Sequence, residues 1–437
     1  DTAALKAIFE AGPGRNHPTH GPARRIYVPD GTYLVSDTLN VGDKRKFIIG
    51  ETRDGTVIRL RDNAPGFQDP ENPRPVIHFG QGAYQGWHFA NNFNSRMVNI
   101  TVDVGSGNPG AVGVHYHTNN LGYMFHVTIV SSDPERRGAI GLHLGSRTGP
   151  GLIWDVDILG FDVGCKVDGG LHGMTVGPMR LAHQRKVGLW CENHFLSVWN
   201  LRSENQVPAV RVDRGHFVML ESEFRGGSPD TAAVEINGGV AFLRDIETEG
   251  YGLALRGPNN TRIEGRVDEW VHPRAFSLFG ETQPSLRLPS AMPPMLDEPW
   301  GPPSTWTLVQ PGEGACRRVQ EAIDAGAETI YLVSGNEPHI FRDTIVVRNR
   351  VRRILGADTW VHTRGDALRS GEVPVWRLED GEPDTVSFEL FRTEFGVATW
   401  SFEHASTRTV VFKGAAGGGY RNTVTGGRAY FLDAGPG

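Results

Sequence analysis

Histidine, lysine and tryptophan residues recur at similar intervals in the first half of the chain, and these side chains could together contact a sugar. His115, His143, Lys166 and Trp190 are separated by 28, 23 and 24 residues. Each directly follows a short apolar motif with a central glycine. An indole face stacks on sugar rings, whereas imidazole and ammonium groups bind hydroxyl or carboxylate groups. We therefore predict that these four residues bind a carbohydrate.

The same repeat extends this column to Asp213 and Asn237, because each stands one residue after a later copy of the apolar motif. Two neighbouring polar residues, His117 and Ser146, complete the predicted substrate-binding set. The alternative interpretation is a solvated face with mixed polar side chains and no ligand.

Three glutamates near the C-terminus could supply acid catalysis, because they lie among phenylalanine and tryptophan residues. A carboxyl group against apolar rings can stay protonated and act as a general acid. We predict Glu403 as the catalytic acid, with Glu389 and Glu394 as candidate bases. The alternative is that these carboxylates form ion pairs with Arg392 or Arg408.

Other polar residues support weaker hypotheses. Glu221 and Glu223 alternate along one strand, about 7 Å apart by strand rise, which fits a pair of hydrolase carboxyl groups. A second column is interpreted as side chains that satisfy turn or ladder hydrogen bonds; it contains Asn99, His126, Asp155, Asn200, Glu221 and Asp245. No calcium loop or Cys/His cluster is present, so we predict no metal and no cofactor.

The elements that position these residues follow from an internal repeat. Short apolar strands recur every 23 to 28 residues, and each is followed by a second strand some 8–13 residues later. A unit of this size with short strands and Gly/Asn/Asp turns is typical of one rung of a β-solenoid. We expect Val114, Leu142, Cys165, Leu189, Val212 and Ile236 to stack inward in one column.

A longer duplication predicts two domains. The segment around Tyr27 recurs around Tyr331, and an amphipathic helix precedes each copy, at residues 2–11 and 316–325. A helix at the open end of a solenoid covers apolar groups and unpaired strand edges. We expect a first β-helix at residues 1–283, a Pro-rich linker at 284–304 and a second, shorter β-helix at 305–437, for which a truncated chain is one explanation.

Composition limits the class of protein. The chain has 437 residues, 56 of them glycine and 28 proline, with 22% charged residues and a net charge of −6. This composition favours many short elements joined by turns. The chain has no block of basic residues, so we predict no nucleic-acid partner. No apolar run is long enough to span a membrane. The chain opens inside a helix-like stretch, so we expect that a leader was removed and that its absence says little about compartment. We expect a protein of this class to be secreted or at the cell surface.

A family resemblance accompanies these observations. The helix followed by Ile26-Tyr27-Val28-Pro29-Asp30-Gly31 resembles the entry module of pectate-lyase-like β-helix proteins. Its recurrence near residue 316 is similar to the twin β-helix of the family-55 glycoside hydrolases, which are exo-β-1,3-glucanases. The resemblance implies an all-β, right-handed parallel β-helix fold and an inverting hydrolase with its site between the two β-helices. It also implies a glutamate acid beside a Glu-His pair, for which Glu403-His404 is the nearest match.

Three functions remain open from the sequence. The first is a glycoside hydrolase acting on a β-glucan, with a polysaccharide or oligosaccharide as substrate. The second is a polysaccharide lyase or epimerase acting on a uronate polymer, in which the column of His115, His143 and Lys166 would serve. The third is a carbohydrate-binding or structural β-helix without catalysis.

Overall fold

The computed structural model describes residues 1–10, 24–41, 46–80, 95–119, 122–145, 148–169, 173–275, 278, 285, 287, 301–333, 337–370, 372–393, 401–404, 406–413, 423–425 and 428–432. Within these residues the protein is all-β, with about 13 turns of parallel β-solenoid and three short helices. The chain divides into two compact units, one built mainly on residues 26–288 and the other mainly on 289–437. Most of the predicted linker lies outside the described residues.

The first unit begins with a helix and continues as strands. The helix is α1 (Thr2–Glu10). The strands up to the middle of the unit are β1 (Arg24–Val28), β2 (Gly31–Val35), β3 (Leu39–Val41), β4 (Lys46–Gly50), β5 (Thr56–Leu60), β6 (Arg74–Phe79), β7 (Arg96–Asp103), β8 (Ala111–Tyr116), β9 (Gly122–Val130), β10 (Ile140–Leu144), β11 (Gly151–Leu159) and β12 (Val163–Val167). The remaining strands are β13 (Gly173–Val176), β14 (Met179–Ala182), β15 (Val187–Cys191), β16 (His194–Trp199), β17 (Leu201–Asn205), β18 (Val210–Val212), β19 (Gly215–Gly226), β20 (Ala232–Ile236), β21 (Val240–Glu249), β22 (Leu253–Gly257), β23 (Thr261–Ile263) and β24 (Arg266–His272).

These strands form two sheets that run the length of the unit. A ten-stranded sheet has the order β23-β22-β20-β18-β15-β12-β10-β8-β6-β3, and the other strands form a fourteen-stranded sheet. Neighbours are parallel except at the end, where β24 and β23 pair antiparallel with β21 and β22. Antiparallel strands at this end and α1 at the other, with Leu5 and Phe9 buried in the core, cover the open ends of the solenoid.

The inward column of the ten-stranded sheet stacks as predicted over its first four rungs. Val114, Leu142, Cys165 and Leu189 are in register and fully buried. The prediction is wrong for the next two rungs, because Leu189 pairs with Val210 and then Val234, whereas Val212 and Ile236 continue the column of Cys191. The register has moved by two residues, which keeps every side chain on its predicted face.

The glycine at the centre of the apolar motif has a steric cause. A Cβ on Gly113 would lie 2.3 Å from Ile129 Cγ2 and 2.8 Å from the carbonyl oxygen of Gly141. A Cβ on Gly141 would likewise lie 2.3 Å from Ile158 Cγ2. The strand therefore approaches the facing core side chains too closely for any larger residue, which explains why four successive copies of the motif contain glycine.

The second predicted column bends the strands of the fourteen-stranded sheet. All six of its residues have φ between 49° and 57°. Val98 pairs with Phe125 and Ile100 with Val127, so the backbone pairing skips Asn99 and His126, which lie between them. The column has no member in the rung between Asp155 and Asn200. In that rung Gly177 adopts the positive φ, at 145°. Asn and Asp tolerate positive φ better than most residues, so four of the six residues suit this backbone conformation. Their role in turn or ladder hydrogen bonds stays a prediction.

The second unit repeats the plan on a smaller scale. Its described elements are a 3-10 turn at Pro303–Thr305, β25 (Thr307–Val309), α2 (Ala315–Asp324), β26 (Thr329–Leu332), β27 (His339–Phe341), β28 (Ile345–Asn349), β29 (Arg353–Thr363), α3 (Asp366–Ser370), β30 (Trp376–Gly381), β31 (Thr385–Thr393), β32 (Ser401–His404), β33 (Thr409–Lys413), β34 (Thr423–Thr425) and β35 (Arg428–Leu432). Parallel sheets of seven and four strands form its walls. Helix α2 buries Val319 and Ile323 in the core of this unit. Within the described ranges, no helix is long and apolar enough to cross a membrane.

The stacked column predicts a test of the fold. Leu189→Asp places an unpaired carboxylate in the fully buried column, which we expect to cost at least 3 kcal/mol, on the order of other buried charges. The matched control is Val240→Asp in β21, where the side chain is 43% exposed and we expect little change. Thermal unfolding followed by circular dichroism measures both. Equal melting temperatures for the two variants would contradict the assigned register.

Candidate functional site

Polar side chains on the outer face of the ten-stranded sheet form one continuous column, which we call the ladder. In register it contains His78, His115, His143, Lys166, Trp190, Arg211, Glu235 and Arg256. Adjacent rungs lie about 4.8 Å apart, so neighbouring side chains are within contact distance. The structure therefore brings together four of the predicted binding residues and adds His78 at one end.

The continuation of the ladder differs from the prediction. Arg211 and Glu235 occupy the positions that were assigned to Asp213 and Asn237. Pro208 precedes β18 and has no N–H to donate, and the N–H of Gly188 bonds to its carbonyl oxygen. Val210, the first residue of β18, therefore lies opposite Leu189 and not opposite Val187, as the motif suggested.

Three imidazole rings stack along the ladder. The ring centroids of His78 and His115 are 4.9 Å apart at an interplanar angle of 18°, and those of His115 and His143 are 4.5 Å apart at 12°. Burial, together with the neighbouring imidazoles His143, His78 and His117, lowers the pKa of His115 to about 2. Burial also lowers the pKa of His78. His115 and His78 are therefore uncharged at neutral pH.

Asp168 connects the imidazole stack to the lysine. Its Oδ2 lies 2.6 Å from His143 Nε2, and its Oδ1 lies 3.2 Å from Lys166 Nζ. Burial alone would raise the pKa of Asp168, but the hydrogen bond and charge of His143, with those of Lys166, lower it to about 2. Because an ionised carboxylate can only accept hydrogen bonds, Nε2 of His143 carries the hydrogen in this contact. Sequence reasoning missed Asp168, although it lies two residues after Lys166 at the end of β12.

Trp190 is held in place between two cations. Lys166 Nζ lies 5.0 Å from the centroid of its ring and the Arg211 guanidinium carbon 5.3 Å. The indole Nε1 donates to Asp213 Oδ2 at 2.7 Å, and Arg211 Nε donates to Asp213 Oδ1 at 2.9 Å. Asn237 also donates to Asp213, at 2.7 Å. Asp213 and Asn237 are thus positioning residues at the edge of the ladder.

The remaining predicted binding residues are placed differently. His117 is only 7% exposed, and its ring centroid lies 6.3 Å from that of His115. It therefore lies behind the ladder's exposed surface. Ser146 falls outside the described residues.

In the second unit, the predicted catalytic glutamates are found in ion pairs. Arg377 Nε donates to Glu403 Oε2 at 2.8 Å, and both side chains are 41% exposed. Trp376, next to Arg377 in β30, is buried in the core, so it lies on the opposite face of the strand from this pair. The expected apolar surroundings of Glu403 are thus replaced by a guanidinium, and its catalytic role stays a prediction.

Glu389 is buried and paired in the core of the second unit. Arg353 Nε donates to its Oε1 at 3.1 Å, and Ser387 donates to the same atom at 2.6 Å. The side chains of both Glu389 and Arg353 are 3% exposed. Substrate contact would require this pair to break, and the ion pairing agrees with the alternative, although the partner is Arg353. Glu394 lies outside the described residues.

Several acidic residues of the first unit have partners within the protein. Trp199 Nε1 donates to Glu221 Oε2 at 2.9 Å, and Arg53 NH2 lies 3.0 Å from Asp157 Oδ2. Asp103 and Asp133 accept backbone N–H groups of nearby turns. Among the residues that the structure describes, no group of three or more His, Cys, Asp or Glu side chains is arranged to hold a metal ion.

The ladder combines an imidazole oriented by a carboxylate with an indole face that lies between two cations, on one partly exposed surface. The imidazole can accept a proton, the cations can bind an anionic group, and the indole can stack on a sugar ring. This combination suits the chemistry of an acidic sugar.

The low pKa of His115 predicts acid sensitivity. As pH falls below 6.5, the unfolded chain takes up a proton that folded His115 does not, so stability is lost, by at most about 1.4 kcal/mol per pH unit. We expect His115→Gln to reduce the loss in the free energy of unfolding between pH 7 and 5. The control is His216→Gln, at an exposed position in β19, which should leave the slope unchanged. Denaturant unfolding at each pH measures this, and identical slopes for His115→Gln and wild type would refute it.

Comparisons with known proteins add a family and several structures. A family model described as rhamnogalacturonase A/epimerase, pectate lyase-like, matches residues 1–215, just under half of the chain. No curated protein sequence matches. This supports the pectate-lyase-like part of the resemblance, while the family-55 part stays a prediction.

Similar solved structures include a carrot pectin methylesterase, at 12% identity and TM-score 0.33, which covers 56% of this chain and 77% of that one. The A-module of the Azotobacter vinelandii mannuronan C-5 epimerase AlgE4 has 12% identity and TM-score 0.31, and covers 97% and 94%. The PL6 family alginate lyase AlyGC has 12% identity and TM-score 0.23, and covers 98% and 77%. Similarities this low carry no argument about chemistry. The family match and the parallel β-helix fold together support the pectate-lyase-like superfamily for this chain.

Proposed function

We propose that this protein is a carbohydrate-active enzyme that acts at the ladder on a uronate-containing polysaccharide, by lyase or epimerase chemistry. The observation that carries the proposal is the set of contacts joining His143, Asp168, Lys166 and Trp190 on one partly exposed face. The description of the matching family includes an epimerase, which supports the same reaction class.

The proposed reaction begins with removal of the proton next to the uronate carboxyl group. His143 Nδ1 accepts this proton, because Asp168 holds the hydrogen on Nε2 and stabilises the imidazolium that forms. Negative charge then develops on the substrate carboxylate, and Lys166 and Arg211 neutralise it. Trp190 stacks against the sugar ring and fixes its orientation.

Two outcomes follow from the same carbanion. In a lyase, the electron pair forms a C=C bond as the glycosidic oxygen leaves and takes the proton from the His143 imidazolium. In an epimerase, a proton from solvent adds to the same carbon from the opposite face, and His143 releases its proton to solvent. The neutral stack of His115 and His78 fits either outcome, because uncharged rings beside His143 do not oppose its protonation as fixed charges would.

The test of the function is a panel of polysaccharides with product analysis. Polygalacturonate, alginate, glucuronan and the neutral glucan laminarin are incubated with the protein. Absorbance at 235 nm detects the unsaturated product of a lyase, and NMR in D₂O detects deuterium incorporated by an epimerase. We expect activity on a uronate polymer and none on laminarin. Turnover of laminarin without any uronate activity would overturn the proposal.

Variants at the ladder sharpen this test. His143→Gln removes the proton acceptor, and we expect it to lower kcat by about 10²–10⁴-fold. Asp168→Asn leaves an amide that cannot stabilise the imidazolium, so a decrease of similar order is expected. The control is Glu403→Gln in the second unit, which should retain full activity if the ladder is the catalytic site. Unchanged kcat in His143→Gln would exclude this residue as the base.

Hydrolysis with Glu403 as the acid is the second candidate. The observation that favours it is exposure, since the Glu403 and Arg377 side chains are each 41% exposed and reachable from solvent. In that case Glu403→Gln would abolish activity, His143→Gln would not, and products would carry new reducing ends without absorbance at 235 nm.

We further propose that the protein acts outside the cell, where polymeric substrates are found.

A further inference from the structure

Arg96 is a buried guanidinium on the outer face of the fourteen-stranded sheet. Its neighbour in β7, Met97, is part of the core, so Arg96 points to the opposite face. It stands in register with Phe47 of β4 and Tyr123 of β9. The residue is only 1% exposed.

Aromatic rings cover both flat faces of this guanidinium. Its carbon lies 4.3 Å from the ring centroid of Phe47 and 4.7 Å from that of Tyr123. These contacts compensate part of the charge, but the rings provide no hydrogen-bond acceptor for the N–H groups, which lie in the guanidinium plane. A ligand can therefore approach only at the edge of the group.

That edge has no hydrogen-bond acceptor. Nε, NH1 and NH2 are all buried, and none has a hydrogen-bond partner within the described part of the chain. Two other buried arginines show how this protein normally satisfies such a group. Arg408 donates to the carbonyl oxygens of Pro383 and Val351, and Arg353 donates to the carboxylate of Glu389. A buried guanidinium with no acceptor is costly, so an external acceptor is the simplest compensation.

We propose that Arg96 binds the carboxylate of a sugar acid through its unpartnered in-plane N–H groups, as a binding site separate from the ladder. A carboxylate matches the in-plane fork of the guanidinium and accepts two parallel hydrogen bonds. Phe125 and Trp154 pair on the same outer face, two residues along from Tyr123 and Leu152, so the surroundings of Arg96 are aromatic. That the carboxylate belongs to a uronic acid rests on the proposed function.

Calorimetric titration with D-galacturonate tests this site, with D-galactose as the neutral probe. The full chain carries Lys166→Gln and Arg211→Gln, which remove the two ladder cations beside Trp190. We expect this background to bind galacturonate and not galactose. Adding Arg96→Met should weaken galacturonate binding at least tenfold. Adding Arg225→Met instead, at a side chain 66% exposed on the same sheet, should leave binding unchanged.

A second variant guards against misfolding. Arg96→Lys keeps the charge but loses the bidentate geometry, so galacturonate should raise its melting temperature less than that of the background protein. Equal galacturonate affinity with and without Arg96 would overturn the inference, as would equal protection of Arg96→Lys. If only the ladder substitutions abolish binding, the Arg96 site is excluded and the proposed function stands. If Arg96-dependent binding persists but no uronate polymer is processed, the proposed function fails and the Arg96 site stands.

Discussion

The parallel register between successive rungs is the constraint on which the rest of the structure depends. Because each strand pairs with the one about 23 residues later, side chains far apart in sequence become neighbours at a spacing of about 4.8 Å. The spacing is short enough for ring stacking, as His115 and His143 show at 4.5 Å between centroids. A single residue of slip would exchange the core column and the ladder, so burial of the apolar face also fixes the polar face.

The same register concentrates charge, and the protein balances it locally. Lys166 and Arg211 lie on either side of Trp190, where their repulsion would be unfavourable without nearby carboxylates. Asp168 and Asp213 supply these carboxylates from the ends of their strands, outside the column itself. His115 and His78 need no such partner, because burial lowers the pKa of both imidazoles and keeps them neutral. The outer face can therefore hold several nitrogen groups without losing stability at neutral pH.

Much of this fold could be predicted from the sequence, because period-two alternation reports which side chains face the core. Val114 to Leu189 stack as expected, and α1 and α2 begin within a residue of the predicted caps. The same periodicity cannot detect a shift of two residues, since such a shift preserves the facing of every side chain. That is why Arg211 was missed in the ladder and Asp213 was placed there instead.

The candidate site was less predictable. Asp168 stands one residue after Val167, whose rung partners Cys191, Val212 and Ile236 are followed by Glu192, Asp213 and Asn237. Because the sequence analysis placed Asp213 and Asn237 in the column of Lys166, two residues away, it did not single out this acidic row. Glu403 was singled out by the aromatic residues around it in sequence, yet alternation along a strand separates neighbours in sequence onto opposite faces.

The burial of Arg96 is a feature that the pattern of polar and apolar residues does not predict. At the sequence level an arginine before an apolar strand indicates a solvated strand end. In the fold its rung neighbours are Phe47 and Tyr123, which remove it from water on both faces. Burial of a charge is tolerated when acceptors are supplied, and at Arg408 and Arg353 the protein supplies them. The contrast among these three arginines therefore carries information about ligands that neither composition nor periodicity contains.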